Sequence, residues 1–328
     1  MKFGVLAIPV VGLILGGEIG RAQSSNDQGT ATTATVNTSQ GSASGEATAS
    51  GTTQSVSSTA ATISTSIQPT NARRFKGEIL NWTTMTVSDA KNGDGSASAY
   101  NYVGLKYTIS ETQSVAIRQP FTVDHDFEKR DSSGSVVKES QTKAHVSDLY
   151  VNYAQKRIAT FLDDGDVSGG FRVYAPTGEA SRLKDTMGAF NLRAIVSKPL
   201  SPKVTLTYNF FPTWYNQTKD SYITASGTEA ATANWGLFHY AGMDWQFSKY
   251  VSFSQALGTS DAWYRPLNGV AKQTHAAYID SSLAISAIDN VDVSVGLSNE
   301  IDTHRPEKKF APFRNDETTL YMVVSAVM

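Results

Sequence analysis

The chain has 328 residues, a formal net charge of −2 and no cysteine. The lack of cysteine excludes disulfide bonds, thiol catalysis, cysteine-bound metals and a lipid-modified N-terminal cysteine. The slightly negative charge argues against nucleic acid as a partner.

The first 22 residues have the features of a secretory signal peptide. Lys2 is the only cation before an apolar stretch from Phe3 to Gly17, and the small residues Gly20 and Ala22 occupy the positions that a signal peptidase reads. We therefore expect cleavage after Ala22. The apolar stretch is about 15 residues long, below the roughly 20 that a spanning helix needs, and its retention as an anchor is the alternative.

Residues 23–72 are rich in Ser, Thr, Ala, Gly and Gln and contain almost no aromatic or large aliphatic side chains. Such a segment buries too little apolar surface to offset the entropy of ordering its backbone, so we predict that it is disordered. We interpret it as a tether or spacer; threading into a pore and binding cell-wall polymer are the alternatives. Residues 73–328 then form the folded domain, a length that one β-barrel accommodates.

The folded domain consists of short segments in which apolar and polar residues alternate. Val291, Val293 and Val295 fall on one face of such a segment, and Asp292 and Ser294 fall on the other. Alternation over about ten residues is typical of a transmembrane β-strand with one face toward lipid. Twelve strands are predicted, at Phe75–Val87, Ala99–Ile109, Val115–Asp124, His145–Ala154, Gly169–Thr177, Gly188–Lys198, Val204–Thr213, Trp235–Phe247, Val251–Gly258, His275–Ala287, Val291–Glu300 and Thr318–Val327.

The connections between these strands alternate in length. The tight ones are Ser110–Ser114, Pro199–Lys203, Ser248–Tyr250 and Ile288–Asn290, and the long polar ones include His125–Lys143, Asn216–Asn234 and Ile301–Glu317. This alternation is expected when all short turns lie on one side of a membrane, and an even strand count places both chain ends on that periplasmic side. Gln155–Ser168 is the exception, because it should be a short turn and its sequence predicts a longer connection.

Charged residues within the strands indicate which face points inward. An arginine facing lipid near the bilayer midplane costs roughly 2–4 kcal/mol, so strand charges are expected to face the interior. The predicted pore-lining residues are Lys106, Arg118, Arg172 and Arg193 on one wall and Asp244, Asp280, Asp292 and Glu300 on much of the other. A polar, transversely polarised lumen suits a diffusion channel.

The alternative is that these charges pair across a closed interior and only hold the barrel together. Twelve strands lie between the roughly eight that side chains fill and the sixteen or more that leave an open channel. Small inward residues fill a core poorly and therefore favour the channel; they are Gly104, Ser252, Ser254, Ala256, Ser282, Ser286, Ser294 and Gly296.

Aromatic residues near the predicted strand ends suit the two interface girdles of a membrane barrel. They are Trp82, Tyr107, Tyr153, Tyr208, Phe210, Trp245, Phe247 and Tyr250. With these features and the alternating final strand Thr319–Met328, residues 73–328 resemble Gram-negative outer-membrane β-barrels of the porin-like class. Members of that class usually end in Phe, whereas this chain ends in Met328. The resemblance implies a transmembrane, antiparallel, up-and-down β-barrel of about 12 strands, located in the outer membrane, that passes small hydrophilic solutes or ions.

The sequence does not match either of two enzymatic classes of outer-membrane barrel. His145 and Ser147 have the spacing of an outer-membrane phospholipase pair, but the Asn-Gly that follows in that pattern is Asp148-Leu149 here. A protease of the omptin type would need Asp124-His125 to face Asp163-Asp164, which the predicted topology places at the opposite end. No catalytic residue, metal ligand or cofactor is therefore predicted.

The predicted partners are outer-membrane lipid and small hydrophilic solutes or ions. The outward polar residues Gln119, Gln255 and Ser281 indicate a contact in a homo-oligomer, with a lipid-facing irregularity as the alternative. The alternative function is a surface protein in which the barrel is an anchor and the long loops mediate adhesion or partner binding.

Overall fold

The computed structural model describes residues 74–92, 95–130, 136–162, 164–224, 227–267, 269–270, 272–303 and 318–328. The predicted signal peptide, the segment 23–72 and most of the predicted loop Ile301–Glu317 lie outside these ranges.

The described residues are mainly β-strands. They are β1 (Phe75–Thr86), β2 (Ser96–Thr108), β3 (Gln113–Asp126), β4 (Lys129–Arg130), β5 (Val136–Lys138), β6 (Gln141–Val146), β7 (Tyr150–Phe161), β8 (Gly165–Tyr174), β9 (Thr186–Ser201), β10 (Val204–Gln217), β11 (Ser221–Ile223), β12 (Glu229–Ala231), β13 (Ala233–Gln246), β14 (Val251–Tyr264), β15 (Gln273–Ile288), β16 (Val291–Asp302) and β17 (Thr318–Val327). Two short helices are α1 (Val87–Asn92) and α2 (Glu179–Leu183). Among the described residues, no helix is long and apolar enough to cross a membrane.

The long strands close into one antiparallel barrel. Its order is β1, β2, β3, β7, β8, β9, β10, β13, β14, β15, β16 and β17, with each strand hydrogen-bonded to the next. The last strand returns to the first, pairing from Glu78↔Val327 to Thr86↔Thr319. Strand β3 has two neighbours on this side. Its first half, up to Arg118, pairs with β7, and its second half, from Phe121, pairs with β6. The predicted fold, an all-β antiparallel barrel of twelve strands, is confirmed.

The connection predicted as Gln155–Ser168 is in fact a short turn, so that prediction is wrong. Strand β7 continues to Phe161 and β8 begins at Gly165. The pairing of β7 with β8 shifts register between Gln155 and Ala159, and Arg157 in this bulge has a φ of 51°. The bulge interrupts the alternation of apolar and polar residues, so the sequence pattern of a strand stops at Gln155 although the strand continues.

Outward-facing positions carry the exposed apolar side chains of the barrel. They include Val103, Leu105, Ile117, Val151, Phe171, Leu192, Leu257, Leu283, Val295 and Leu320. An exterior on which exposed apolar side chains predominate matches the hydrocarbon region of a bilayer.

Aromatic side chains border this apolar surface at both ends. Trp214, Trp235 and Trp263 are register neighbours near the long-loop end, and the rings of Trp235 and Trp263 stack at 3.6 Å. At the short-turn end, Trp245 lies 5.2 Å from Phe247. From Trp235 to Trp245 the strand rises about 34 Å, which a tilt of roughly 45° reduces to about 24 Å. This height matches the apolar band of about 25 Å in outer-membrane barrels.

Trp82 does not belong to a girdle, and its predicted place there is wrong. The side chain is 6% exposed and its ring meets that of Tyr321 inside the barrel, with centroids 6.4 Å apart. Trp82 shares its strand parity with Glu78 and Leu80, which are also buried. The carboxylate of Glu78 lies on the same side of the strand as Trp82, and it is the feature of the sequence that indicates an inward face.

The outward polar residues have partners within the chain. The Gln119 side chain donates from Nε2 to the carbonyl oxygen of Ser147 at 2.9 Å, opposite Pro120, which has no N–H to offer. The Ser281 hydroxyl donates to the Gln255 side-chain oxygen at 2.6 Å. Their polarity is thus accounted for without a second protomer.

Candidate pore

Large side chains form an inner belt on the inward face of the barrel. The inner belt comprises Glu78, Trp82, Arg118, Tyr150, Arg172, Arg193, Phe211, Tyr240, Tyr278, Asp280 and Tyr321. Strand alternation places these residues inside, because their neighbours in sequence carry the exposed apolar side chains. The inner belt defines what a solute would meet within the barrel.

Three arginines form one side of the inner belt, and we call them the basic arc: Arg118, Arg172 and Arg193. The guanidinium carbon of Arg118 lies 6.0 Å from the Tyr150 ring centroid, and that of Arg172 lies 4.9 Å from the same ring. Arg193 lies 4.8 Å from the ring of Phe211. A guanidinium over an aromatic face gains about 0.5–2 kcal/mol. The rings therefore fix the positions of the three cations.

Glu78 is a member of the inner belt that sequence reasoning missed. It is 5% exposed, and its carboxylate lies 2.7 Å from Arg118 Nη2 and 3.8 Å from Lys106 Nζ. Arg118 reaches it across β2 at Gly104, where a β-carbon would be 2.8 Å from Arg118 Cγ. Glycine at this position leaves the path of the side chain open. The ion pair joins β1 to β3 over the strand between them.

The other two arginines differ from Arg118 in having no carboxylate partner among the described residues. Arg172 is 3% exposed and donates from Nε to the Asn152 side-chain oxygen at 3.0 Å. The Nε of Arg193 is buried without a hydrogen-bond acceptor in the described part of the chain. Among the described residues, no carboxylate lies within 4.0 Å of either guanidinium group. These two charges are not balanced locally.

Acidic side chains lie on the other side of the interior. Asp280 is 5% exposed and accepts a hydrogen bond of 2.9 Å from the Tyr321 hydroxyl. Tyr321 crosses β16 at Gly296, where a β-carbon would be 2.4 Å from its ring. Asp244 accepts a hydrogen bond of 2.5 Å from the Ser254 hydroxyl.

Two further predicted residues lie on β16. Asp292 accepts a hydrogen bond from the Ser286 hydroxyl, and Glu300 lies nearer the long-loop end. The structure thus places the predicted cations on β2, β3, β8 and β9 and the predicted anions on β13, β15 and β16. It brings Lys106 and Arg118 together through Glu78. A pore-lining role for the eight residues stays a prediction.

The residues weighed for catalysis do not assemble a nucleophile and base in the described part of the chain. The His145 imidazole lies 3.9 Å from carboxylate oxygens of both Asp124 and Glu179, and no contact joins it to the Ser147 hydroxyl. Asp163 lies outside the described residues. No group of three His, Asp or Glu side chains among the described residues is placed to hold a metal ion.

No protein-family model and no curated protein matches the chain. Among solved structures, an outer-membrane channel from Pseudomonas putida F1 superposes with a TM-score of 0.53 at 12% identity, covering 80% of this chain and 100% of that one. A KdgM porin in complex with disordered oligogalacturonate gives a TM-score of 0.41 at 9% identity, with 76% and 98% coverage. The translocator domain of the autotransporter NalP from Neisseria meningitidis gives 0.42 at 9% identity, with 85% and 96% coverage. The last two scores are too low to carry an argument. The first shows that the chain has the fold of an outer-membrane β-barrel channel.

Proposed function

We propose that this protein is an outer-membrane pore through which small hydrophilic solutes or ions diffuse passively. The observation that carries the proposal is the basic arc inside a closed barrel, with two guanidinium groups that no described carboxylate neutralises. If the interior charges served only to stabilise a closed barrel, they would be expected to form ion pairs, because an uncompensated buried charge costs several kcal/mol. Water or a polar solute in the lumen would supply the missing solvation.

The arrangement of charge supports a transverse field across the lumen. The basic arc lies on β3, β8 and β9, and Asp244 and Asp280 follow it in the strand order, on β13 and β15. Low-dielectric walls of opposite sign orient water and polar solutes and disfavour apolar ones. The proposed cargo is therefore hydrophilic.

The exterior supports the proposed location in the outer membrane. The apolar outward face and its two aromatic borders fit a bilayer. Export by the predicted signal peptide, residues 1–22, and release of a mature chain beginning at Gln23 belong to the same proposal. N-terminal sequencing of the protein from an outer-membrane fraction tests this part.

Liposome swelling tests passive diffusion. We expect liposomes containing the mature chain to swell in arabinose and to swell more slowly in the tetrasaccharide stachyose, because a narrow lumen selects by size. Liposomes with heat-denatured protein are the control. A folded, inserted barrel that admits neither sugar would contradict passive diffusion of solutes of this size.

A further inference from the structure

Arg172 and Arg193 lie on adjacent strands and are diagonal neighbours. Arg172 pairs with Asn191 in the β8–β9 register, and Arg193 pairs with Gly170. Diagonal positions of this kind bring side chains within about 7–8 Å of one another. Gly170 contributes no side chain to pair with Arg193. Two cations therefore lie close together on the inward face, and Gly170 offers Arg193 no side-chain acceptor.

Unpartnered acceptors flank these cations. The side-chain oxygens of Asn191 and Asn209 are buried without a donor among the described residues, and both side chains are 2% exposed. Asn191 is two residues from Arg193 on β9, and Asn209 pairs with Ile195, two residues beyond it. A buried polar atom without a partner destabilises the fold. The patch thus presents cationic donors between two acceptors that lack a hydrogen bond.

We propose that Arg172, Arg193, Asn191 and Asn209 form a binding subsite for a hydroxylated carboxylate of the sugar-acid type. The carboxylate would bind the two guanidinium groups, whose planar forks match its geometry. Hydroxyl groups of the same solute would donate to the two amide oxygens. The proposal rests on the proposed pore, which gives the solute access, and it names the class of solute for which the pore is built.

Block of ion current by gluconate tests the subsite. In a planar bilayer in potassium chloride, we expect gluconate to reduce the current of the full mature chain saturably. Propionate, which lacks the hydroxyls, and glucose, which lacks the charge, should require at least tenfold higher concentrations. Equal effects of gluconate and propionate would overturn the assignment to a hydroxylated carboxylate.

Variants assign the effect to the patch. Arg193→Gln should raise the half-blocking concentration of gluconate about tenfold, and Arg193→Lys should raise it less, since it keeps the charge and loses the planar fork. Lys249→Gln, in an exposed turn, removes the same charge outside the lumen and should leave the block unchanged. Heat-modifiable migration on a gel identifies folded variants. Unchanged block in folded Arg193→Gln would overturn the subsite.

Calorimetry separates the subsite from the pore. If the wild-type barrel does not conduct, the proposed pore fails, and titration of gluconate into the detergent-solubilised chain then decides the subsite alone. Binding that Arg193→Gln weakens about tenfold would support the subsite. No binding to the wild type would overturn it, whether or not the barrel conducts.

Discussion

At the scale of single residues, glycines inside the barrel make room for large neighbours. Gly104 lies beneath Arg118 and Gly296 lies beneath Tyr321, each with a hypothetical β-carbon within 3 Å of the crossing side chain. From the sequence, these small inward residues favoured an empty lumen. The structure shows that at both positions the space is occupied by a side chain from the next strand. Small residues inside a barrel therefore indicate side-chain crossings as well as open space.

Replacement of Gly296 tests this point. Gly296→Ala should lower the free energy of unfolding by about 1–3 kcal/mol, because the added methyl collides with the Tyr321 ring and overpacks the interior. The measurement is urea unfolding of the refolded barrel. Gly77→Ala is the matched control, since its added β-carbon would meet nothing closer than Met328 Cβ at 4.0 Å. Equal stability of the Gly296 variant and the wild type would contradict the packing argument.

The Glu78–Arg118 pair provides a second residue-scale prediction. Glu78→Gln should destabilise the barrel by about 3–5 kcal/mol, because it leaves Arg118 without its carboxylate in a buried setting. The double variant Glu78→Gln with Arg118→Gln should recover part of this loss, since the remaining cation, Lys106, has a side chain that is 35% exposed and is solvated more easily than Arg118. A double-mutant cycle in urea measures the coupling. Additive effects of the two single changes would show that the pair is not coupled.

At the scale of elements, one backbone hydrogen bond is missing where β3 passes the segment between β6 and β7, and a side chain replaces it. The Ser147 N–H donates to the Pro120 carbonyl at 3.1 Å, but proline cannot return a hydrogen bond. The adjacent Gln119 side chain supplies the missing donor to the Ser147 carbonyl. An outward polar residue on a lipid-facing strand is thereby explained by its own neighbour in the sequence.

Paired substitutions test this compensation. Gln119→Leu should lower the free energy of unfolding by about 1–3 kcal/mol, since the Ser147 carbonyl loses its donor at 2.9 Å and keeps only the longer hydrogen bond of 3.4 Å from the Thr177 hydroxyl. Adding Pro120→Ala should restore much of the stability, because the new N–H can pair with that carbonyl. Urea unfolding of both variants is the measurement. A Pro120→Ala change that restores nothing would show that the backbone acceptor was already satisfied in another way.

A hydrogen-bonded chain on the outer face links four strands. The His239 ring contacts the Tyr208 hydroxyl at 3.2 Å and the Thr259 hydroxyl at 2.9 Å, and Thr259 donates to Asp261, which also pairs with His275. Each of these polar side chains thus has a hydrogen-bond partner.

Thr259→Val should destabilise the barrel by about 1–3 kcal/mol, because it removes one partner from both His239 and Asp261. Thr259→Ser keeps the hydroxyl and is the control for the change in shape. Thermal unfolding in detergent compares the two variants. If both melt like the wild type, the chain contributes nothing measurable.

The strands could be predicted from the sequence because a lipid face must be apolar at every second residue. The alternation failed where that rule is relaxed, in the bulge after Gln155. The placement of Trp82 in a girdle failed for another reason, since an aromatic residue near a strand end suits an interior as well as a girdle. Strand parity indicated which residues share a face, but it could not show that Arg118 meets Glu78 across β2. Such contacts depend on the register and on Gly104, which one sequence does not reveal.

At the scale of the whole molecule, closure brings the charges of separate strands around one interior. The pairing of β1 with β17 fixes the circular order, in which the basic arc occupies β3, β8 and β9, and Asp244 and Asp280 occupy β13 and β15. No single strand carries this arrangement. The proposed transport therefore depends on the closed barrel, and each wall should affect ion preference in its own direction.

The most direct measurement is single-channel conductance of the mature chain in a planar bilayer, with the reversal potential recorded in a salt gradient. The account predicts discrete conductance steps, a shift toward cations for Arg172→Gln with Arg193→Gln, and a shift toward anions for Asp244→Asn with Asp280→Asn. Lys249→Gln should leave the reversal potential unchanged. A folded, inserted barrel that conducts nothing, or that keeps its selectivity in both double variants, would contradict the account.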